Sequence, residues 1–326
     1  MLAAAVTNAR LFRLSRIWLL ALLACALLPG SVMSGPNGLA GAQAGEIERR
    51  GWLSILVGDA PPGAGQPPVI EYMLTDGYGL VARLVIDHET ALALAGTYVT
   101  VTGRLSETTA PGSGVEVIEV TSVMAAEAGV FALPEAQNVT GSFPWVTLLC
   151  RFADDPDVPH PPDWYTALMG SDYPGMDHYW REISYNQIDL SGSITAGWYD
   201  LPQAKAYYAQ PNGIIDWNRT LNDCTAAADA DVYFPDFYGI NLFFSSTLDA
   251  RAWGVDGWGV SRDGQEKTYA VTWIPSVWAS HYGVAHEMAH GFGLPHSAGP
   301  TGATYTSQWD IVSLSGCRVY HPDFGC

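Results

Sequence analysis

From about residue 46 the chain breaks into short apolar runs of strand length, two of which, Tyr98–Leu105 and Val115–Val123, alternate apolar with polar residues. Trp52–Val57, Val69–Thr75, Leu80–Ile86, Tyr98–Leu105 and Val115–Val123 each fit a half-buried strand, and Gly- or Pro-containing stretches separate them. Five such strands in about 80 residues predict a small all-β domain, an OB-like barrel, over 45–125. Residues 126–140 are small and polar and read as a linker.

The pattern changes after residue 140. Trp145–Cys150, Gly239–Phe244 and Tyr269–Ile274 are apolar runs of strand length, and Ile188–Trp198 also has strand character. Between them Met176–Ser184, Ala204–Tyr208 and Asp216–Ala230 have helical spacing, and Ser280–Gly293 is a further predicted helix. Strands interleaved with helices predict an α/β or α+β domain over 141–326. No internal repeat is visible.

Residues 1–44 read as a signal peptide. Arg10, Arg13 and Arg16 precede an apolar run, Ile17–Leu28, and Ala42-Gln43-Ala44 is a small-residue cleavage pattern. An uncleaved anchor is one alternative. A lipoprotein signal at Leu22-Leu23-Ala24-Cys25 is another, disfavoured by the apolar residues that follow. The expected location is therefore secreted, with no stable membrane span after cleavage. Cys150, Cys224, Cys317 and Cys326 then remain, and an exported chain can join them as disulfides in three pairings. Cys317 and Cys326 are the pair nearest in sequence.

Charge narrows the partners. The chain has 15 basic and 33 acidic residues. Its first 45 residues hold three arginines and no acid, so the rest carries 12 basic against 33 acidic residues, or −21. Nucleic acid and anionic membranes are excluded as natural partners. An acidic surface also attracts cations such as Ca2+, but no calcium-loop motif is present to hold one.

The chemistry concentrates in His286-Glu-Met-Ala-His-Gly-Phe-Gly-Leu-Pro-His296. On a helix His286 and His290 lie one turn apart on one face, so both imidazoles reach one ion. Gly293 can take the left-handed conformation that ends a helix, and Pro295 stops it resuming. The chain can then return His296 to the same ion. Three nitrogens and a water form an open catalytic zinc site, with Glu287 as general base. His281 precedes the motif and is expected to pack or face solvent. His88, His160, His178 and His321 are isolated in the sequence.

This stretch is the extended HExxHxxGxxH pattern of metzincin peptidases. Pro174–Tyr185, Leu190-Ser-Gly192, Ala227-Ala-Asp229, Gly239–Phe243, Leu294–Ser297, Gly302–Tyr305 and Trp309–Ser313 are similar to segments of gametolysin-like and immune inhibitor A-like secreted peptidases. The resemblance covers about residues 141–315. It implies a metzincin-like α+β fold with an active-site helix, a single catalytic Zn2+ and a polypeptide substrate. It also implies a substrate-binding edge strand near Thr268–Ile274. Val312 falls where the family's methionine turn carries methionine. Only 30 residues follow His296, so the resemblance further implies a catalytic domain shortened at its C-terminus.

The leading expectation is a secreted zinc endopeptidase. The alternative is a catalytically impaired homologue that keeps its zinc as a binding or structural module. An adhesion protein built on the β-rich segment is a third reading that nothing in the sequence demands. The position of 45–125 ahead of the catalytic domain suits a prodomain. It contains no cysteine to ligate zinc, so any inhibition by it is expected to be steric.

Overall fold

The computed structural model describes residues 45–61, 66–76, 79–106, 115–126, 140–297 and 310–313. The predicted signal segment, most of the predicted linker, His321, Cys317 and Cys326 lie outside them. No helix among the described residues is long and apolar enough to cross a membrane.

The N-terminal strands are β1 (Ile47–Asp59), β2 (Val69–Asp76), β3 (Gly79–Val85), β4 (Tyr98–Leu105) and β5 (Glu116–Ala125). They pair in the order β1-β2-β3-β5-β4, and β4 pairs back onto β1, which closes a five-stranded barrel. Helix α1 (His88–Leu94) links β3 to β4 and is capped by Asp87, whose carboxylate accepts from the Thr90 amide. Leu53, Leu74, Ala82, Val99, Val101 and Ile118 fill the interior.

The second half starts with the two-residue strand β6 (Gly141–Ser142) and continues with β7 (Trp145–Arg151), α2 (Pro162–Met169) and α3 (Met176–Ile183). Then come β8 (Ile188–Asp189), β9 (Ile194–Asp200), α4 (Trp217–Ala228) and β10 (Gly239–Phe244). The last elements are β11 (Ala252–Arg262), β12 (Gln265–Ile274) and α5 (His281–Gly291). β11-β12-β10-β7-β9 lie side by side, with β12, β10, β7 and β9 parallel and β11 antiparallel to β12.

Alternation along β7 separates two apolar layers. Val146, Leu148 and Cys150 join the layer that includes Trp217, Leu221 and Cys224 of α4. Trp145 and Leu149 join the layer that includes α2, α3 and α5. A Cys150–Cys224 disulfide ties α4 to the sheet.

The expected α+β fold is overturned. The protein is mostly β: among the described residues there are 12 strands against five α-helices, and ten of the strands form one sheet. The joint is β1. Its last residues, Val57, Gly58 and Asp59, pair antiparallel with Gly254, Trp253 and Ala252 of β11. β1 can serve both parts because it is buried on both faces from Gly51 to Asp59, apart from the half-buried Ile55. Buried Ser54 adds to the joint by donating its hydroxyl to the Gly257 carbonyl at 2.7 Å. The edge-strand expectation for Thr268–Ile274 also fails, because β12 lies between β11 and β10.

Candidate metal centre

Helix α5 begins where the Ser280 hydroxyl accepts from the Gly283 amide at 3.1 Å. It ends in a Schellman turn: the Gly293 amide donates to the His290 carbonyl at 2.9 Å, and the Leu294 amide donates to the Ala289 carbonyl at 3.0 Å. Gly293 has φ +79°, the left-handed conformation expected of it. The turn folds the chain back, and His296 reaches the face that carries His286 and His290.

The three imidazoles converge. His290 Nε2 lies 3.3 Å from His286 Nε2 and 3.1 Å from His296 Nε2. The opposite ring nitrogens are fixed by carbonyls. His286 Nδ1 donates to Ile311 at 2.7 Å, and His290 Nδ1 donates to Leu294 at 2.8 Å. A neutral imidazole with its proton on Nδ1 presents a lone pair at Nε2. Burial pushes the His290 imidazolium down to about 4, against the opposing pull of Asp59, so that ring is neutral at pH 7.

A fourth donor comes from the barrel. Asp59, the last residue of β1, is fully buried, and its Oδ2 lies 3.2, 3.5 and 3.0 Å from the Nε2 atoms of His286, His290 and His296. Burial alone would raise its pKa. Hydrogen bonding to the three histidines outweighs that effect and holds the carboxyl well below the usual carboxylate range.

These four side chains can hold a metal ion: one ligand atom of each lies within 4.8 Å of every other. The donor set fits a cation on chemical grounds as well. Lone pairs from His286 and His290 face each other beside a carboxylate, an arrangement that a positive ion between them satisfies. Nothing in the donor set itself fixes which metal it takes.

Compared with protein families and with curated proteins, the sequence matches none. The chemistry of this centre is therefore argued from its own geometry.

Glu287 follows His286 on α5 and is also fully buried. Among the described residues neither of its carboxylate oxygens has a hydrogen-bond partner. Burial, helped by the nearby charge of Asp59, raises its pKa well above the ordinary range. Gly254 of β11 crosses directly over it: a Cβ there would lie 2.6 Å from the Glu287 carbonyl oxygen and 2.8 Å from His290 Cβ.

Val312 lies in the segment below the histidines and is 4% exposed, in the same apolar cluster as Ala285, Met288 and Ala289. The six residues singled out from the sequence, His286, Glu287, His290, Gly293, His296 and Val312, thus gather in one region. Asp59 was missed. The signal it offers in the sequence is an acid that ends an apolar strand just before a Pro-rich loop. His281 begins α5, outside the donor set. His88, isolated in the sequence, lines a cavity of about 140 Å³ beside His290 and His296.

Proposed function

We propose that this chain is a secreted zinc-dependent endopeptidase. Zinc is held by His286, His290 and His296, and Glu287 is the general base. The observation that carries this reading is the Glu287 carboxylate, buried without a partner next to three convergent imidazoles. An unpaired buried carboxylate costs stability, and a fold that only needed to grip an ion has no use for it. A water and a scissile amide are the partners that would justify it.

When bound, zinc supplies a Lewis acid for the peptide carbonyl and lowers the pKa of water toward about 7. The protein's own groups do the rest. His286 and His290 are locked in the tautomer that offers Nε2. Glu287 takes the proton of the attacking water and returns it to the leaving amine nitrogen. Burial, which disfavours its charged form, favours uptake of a proton by this carboxylate.

One observation favours a second reading. Four donors can close a tetrahedral shell, as in structural zinc sites, with Asp59 as the permanent fourth ligand. Glu287 argues against it, since a closed site leaves that carboxylate without a role.

The test combines metal analysis with hydrolysis of a denatured protein. The chain is assayed before and after limited digestion, alongside Glu287→Gln treated identically. About one zinc per chain is expected in both. Hydrolysis in the digested parent is expected to fall by at least about 10²-fold in the variant. Zinc without hydrolysis in either state supports the structural reading. Absence of bound metal overturns both.

A further inference from the structure

A cavity of about 140 Å³ lies beside the metal centre, and His290 and His296 form part of its wall. Strand β1 supplies Ile55 and Val57, helix α1 supplies Leu92, and β11 supplies Asp256. Leu92 and Leu294 are exposed apolar side chains, so the cavity is apolar where it meets solvent. Among the described residues that line it, Asp256 is the only acid and none is Lys or Arg.

An irregularity in the strand sets Asp256 there. The ladder between β11 and β12 shifts register between Val255 and Trp258. A bulge of this kind re-aims the side chain it carries. There is room around Oδ2, since a Cβ on Gly96 or Gly293 would lie 3.6 or 3.9 Å from it. Oδ1 is enclosed and has no hydrogen-bond partner among the described residues. His88, on the same wall, is hydrogen-bonded to the Tyr72 hydroxyl at 2.9 Å. Burial pushes the Asp256 carboxyl up to about 6, which leaves it mostly ionised at pH 7. An enclosed charge without a counter-ion is costly, and a bound cation is the partner that removes the cost.

The walls select the kind of cation. Apolar side chains and one carboxylate suit a hydrocarbon stem that ends in an ammonium. A cavity of roughly 150 Å³ holds benzene, and a lysine stem with its nitrogen has one heavy atom fewer. Arginine carries a broader, planar head.

We infer that this cavity is a substrate subsite for a lysine side chain beside the scissile bond, with Asp256 pairing with its ammonium. This rests on the zinc peptidase reading above and names the substrate class for that site, polypeptides with lysine at the cut. His290 and His296 are walls of the cavity as well as metal donors, so a side chain seated there belongs to a residue at the reacting bond. The N-terminal barrel then takes part in recognition, because Ile55, Val57 and Leu92 form the wall along the stem.

The test uses the full zinc-loaded chain carrying Glu287→Gln, so that bound peptides are not turned over. Blocked glycine pentapeptides with lysine, norleucine or arginine at the centre are titrated by calorimetry. Norleucine keeps the stem and lacks the ammonium. The lysine peptide is expected to bind at least about tenfold more tightly than the norleucine peptide, the factor for a charge-assisted hydrogen bond. It is also expected to bind more tightly than the arginine peptide. Adding Asp256→Asn is expected to abolish the lysine advantage. Ala95→Phe keeps the carboxylate but fills the cavity from the end of α1, and is expected to abolish it too.

Equal or absent binding of the lysine and norleucine peptides overturns the subsite and leaves the peptidase reading to its own hydrolysis test. A lysine advantage that survives either substitution overturns it as well, because the ammonium then sits elsewhere. Preference for arginine over lysine overturns the assignment to lysine. If Asp256→Asn does not fold, Ala95→Phe decides. Lysine-selective binding by a chain that hydrolyses no protein, before or after digestion, refutes the peptidase reading and with it the cavity's role as a substrate subsite.

Discussion

The carbonyl of Ile311 accepts a 2.7 Å hydrogen bond from Nδ1 of His286, so a short turn far along the chain fixes the tautomer of the first histidine. The turn is itself held in place. The Val312 amide donates to the Asp310 carboxylate at 3.1 Å, and the Tyr282 hydroxyl donates to the Ser313 carbonyl at 3.1 Å. Among the described residues of the turn, Val312 is buried in the apolar cluster below the site, with the half-buried Ile311 packed against that cluster.

Val312→Asp puts an unpaired charge into that apolar layer, at a cost of about 1–3 kcal/mol or more. It is expected to lower the melting temperature and to weaken zinc by at least about tenfold, through loss of the Ile311 contact. Val312→Met keeps the layer apolar and is expected to retain zinc. Zinc titration against a chromophoric chelator, with thermal melts, reads both. Parent-like zinc binding and melting in Val312→Asp would disprove the role given to this turn.

Gly254→Ala adds a methyl where no space exists, against the Glu287 backbone and His290 Cβ. A loss of about 1–3 kcal/mol is expected from overpacking, together with weaker metal binding. Gly45→Ala, whose Cβ would meet nothing within 4 Å, is the control and should stay within about 0.5 kcal/mol of the parent. If the two variants melt alike, β11 does not press on α5 as described.

Asp256 on β11 carries a carboxyl that burial pushes up to about 6, and its Oδ1 has no hydrogen-bond partner among the described residues. The folded state therefore holds this proton more tightly than the unfolded chain, whose reference value is 3.8. Stability is unaffected below that reference value, falls as pH rises through about 6, and stays reduced above it. Asp256→Asn removes the penalty. It is expected to raise the melting temperature at pH 7.5 by an amount worth at most about 3 kcal/mol, and to change little near pH 3.5. A pH-independent difference would mean that the effect comes from packing.

Non-reducing peptide mapping is expected to recover Cys150 linked to Cys224. Replacing both by alanine should cost about 2–4 kcal/mol, because the bond closes a long loop between β7 and α4. Recovery of either residue linked to a different cysteine would reassign the pairing.

How much of this was legible depended on distance along the chain. The histidine spacing, the Gly293 terminator and the alternation in β7 are local features, and each reports its own geometry. β11 was not legible. Gly254, Gly257 and Gly259 interrupt its apolar pattern and look like a loop, yet Gly254 is required by what lies opposite it, the backbone of α5. Asp59 was harder still: its partner His296 is 237 positions away, and nothing near it in sequence marks it as a ligand. The fold class failed for the same reason, since a single strand that joins two parts leaves no local trace of the join.

That shared strand also sets an order of assembly. β1 finds β2 and β4 within about 55 residues, and the barrel strands are complete by Ala125. The β11 residues that pair with β1 lie almost 200 positions further on, since Val57 meets Gly254. Near contacts close faster than remote ones, and chains emerge from the ribosome at about 5–20 residues per second. The barrel then has some 6–26 s in which to form before its partner strand is synthesised. β11, the strand least able to declare itself by its own sequence, meets an edge already in place, and its register is templated by the module that precedes it.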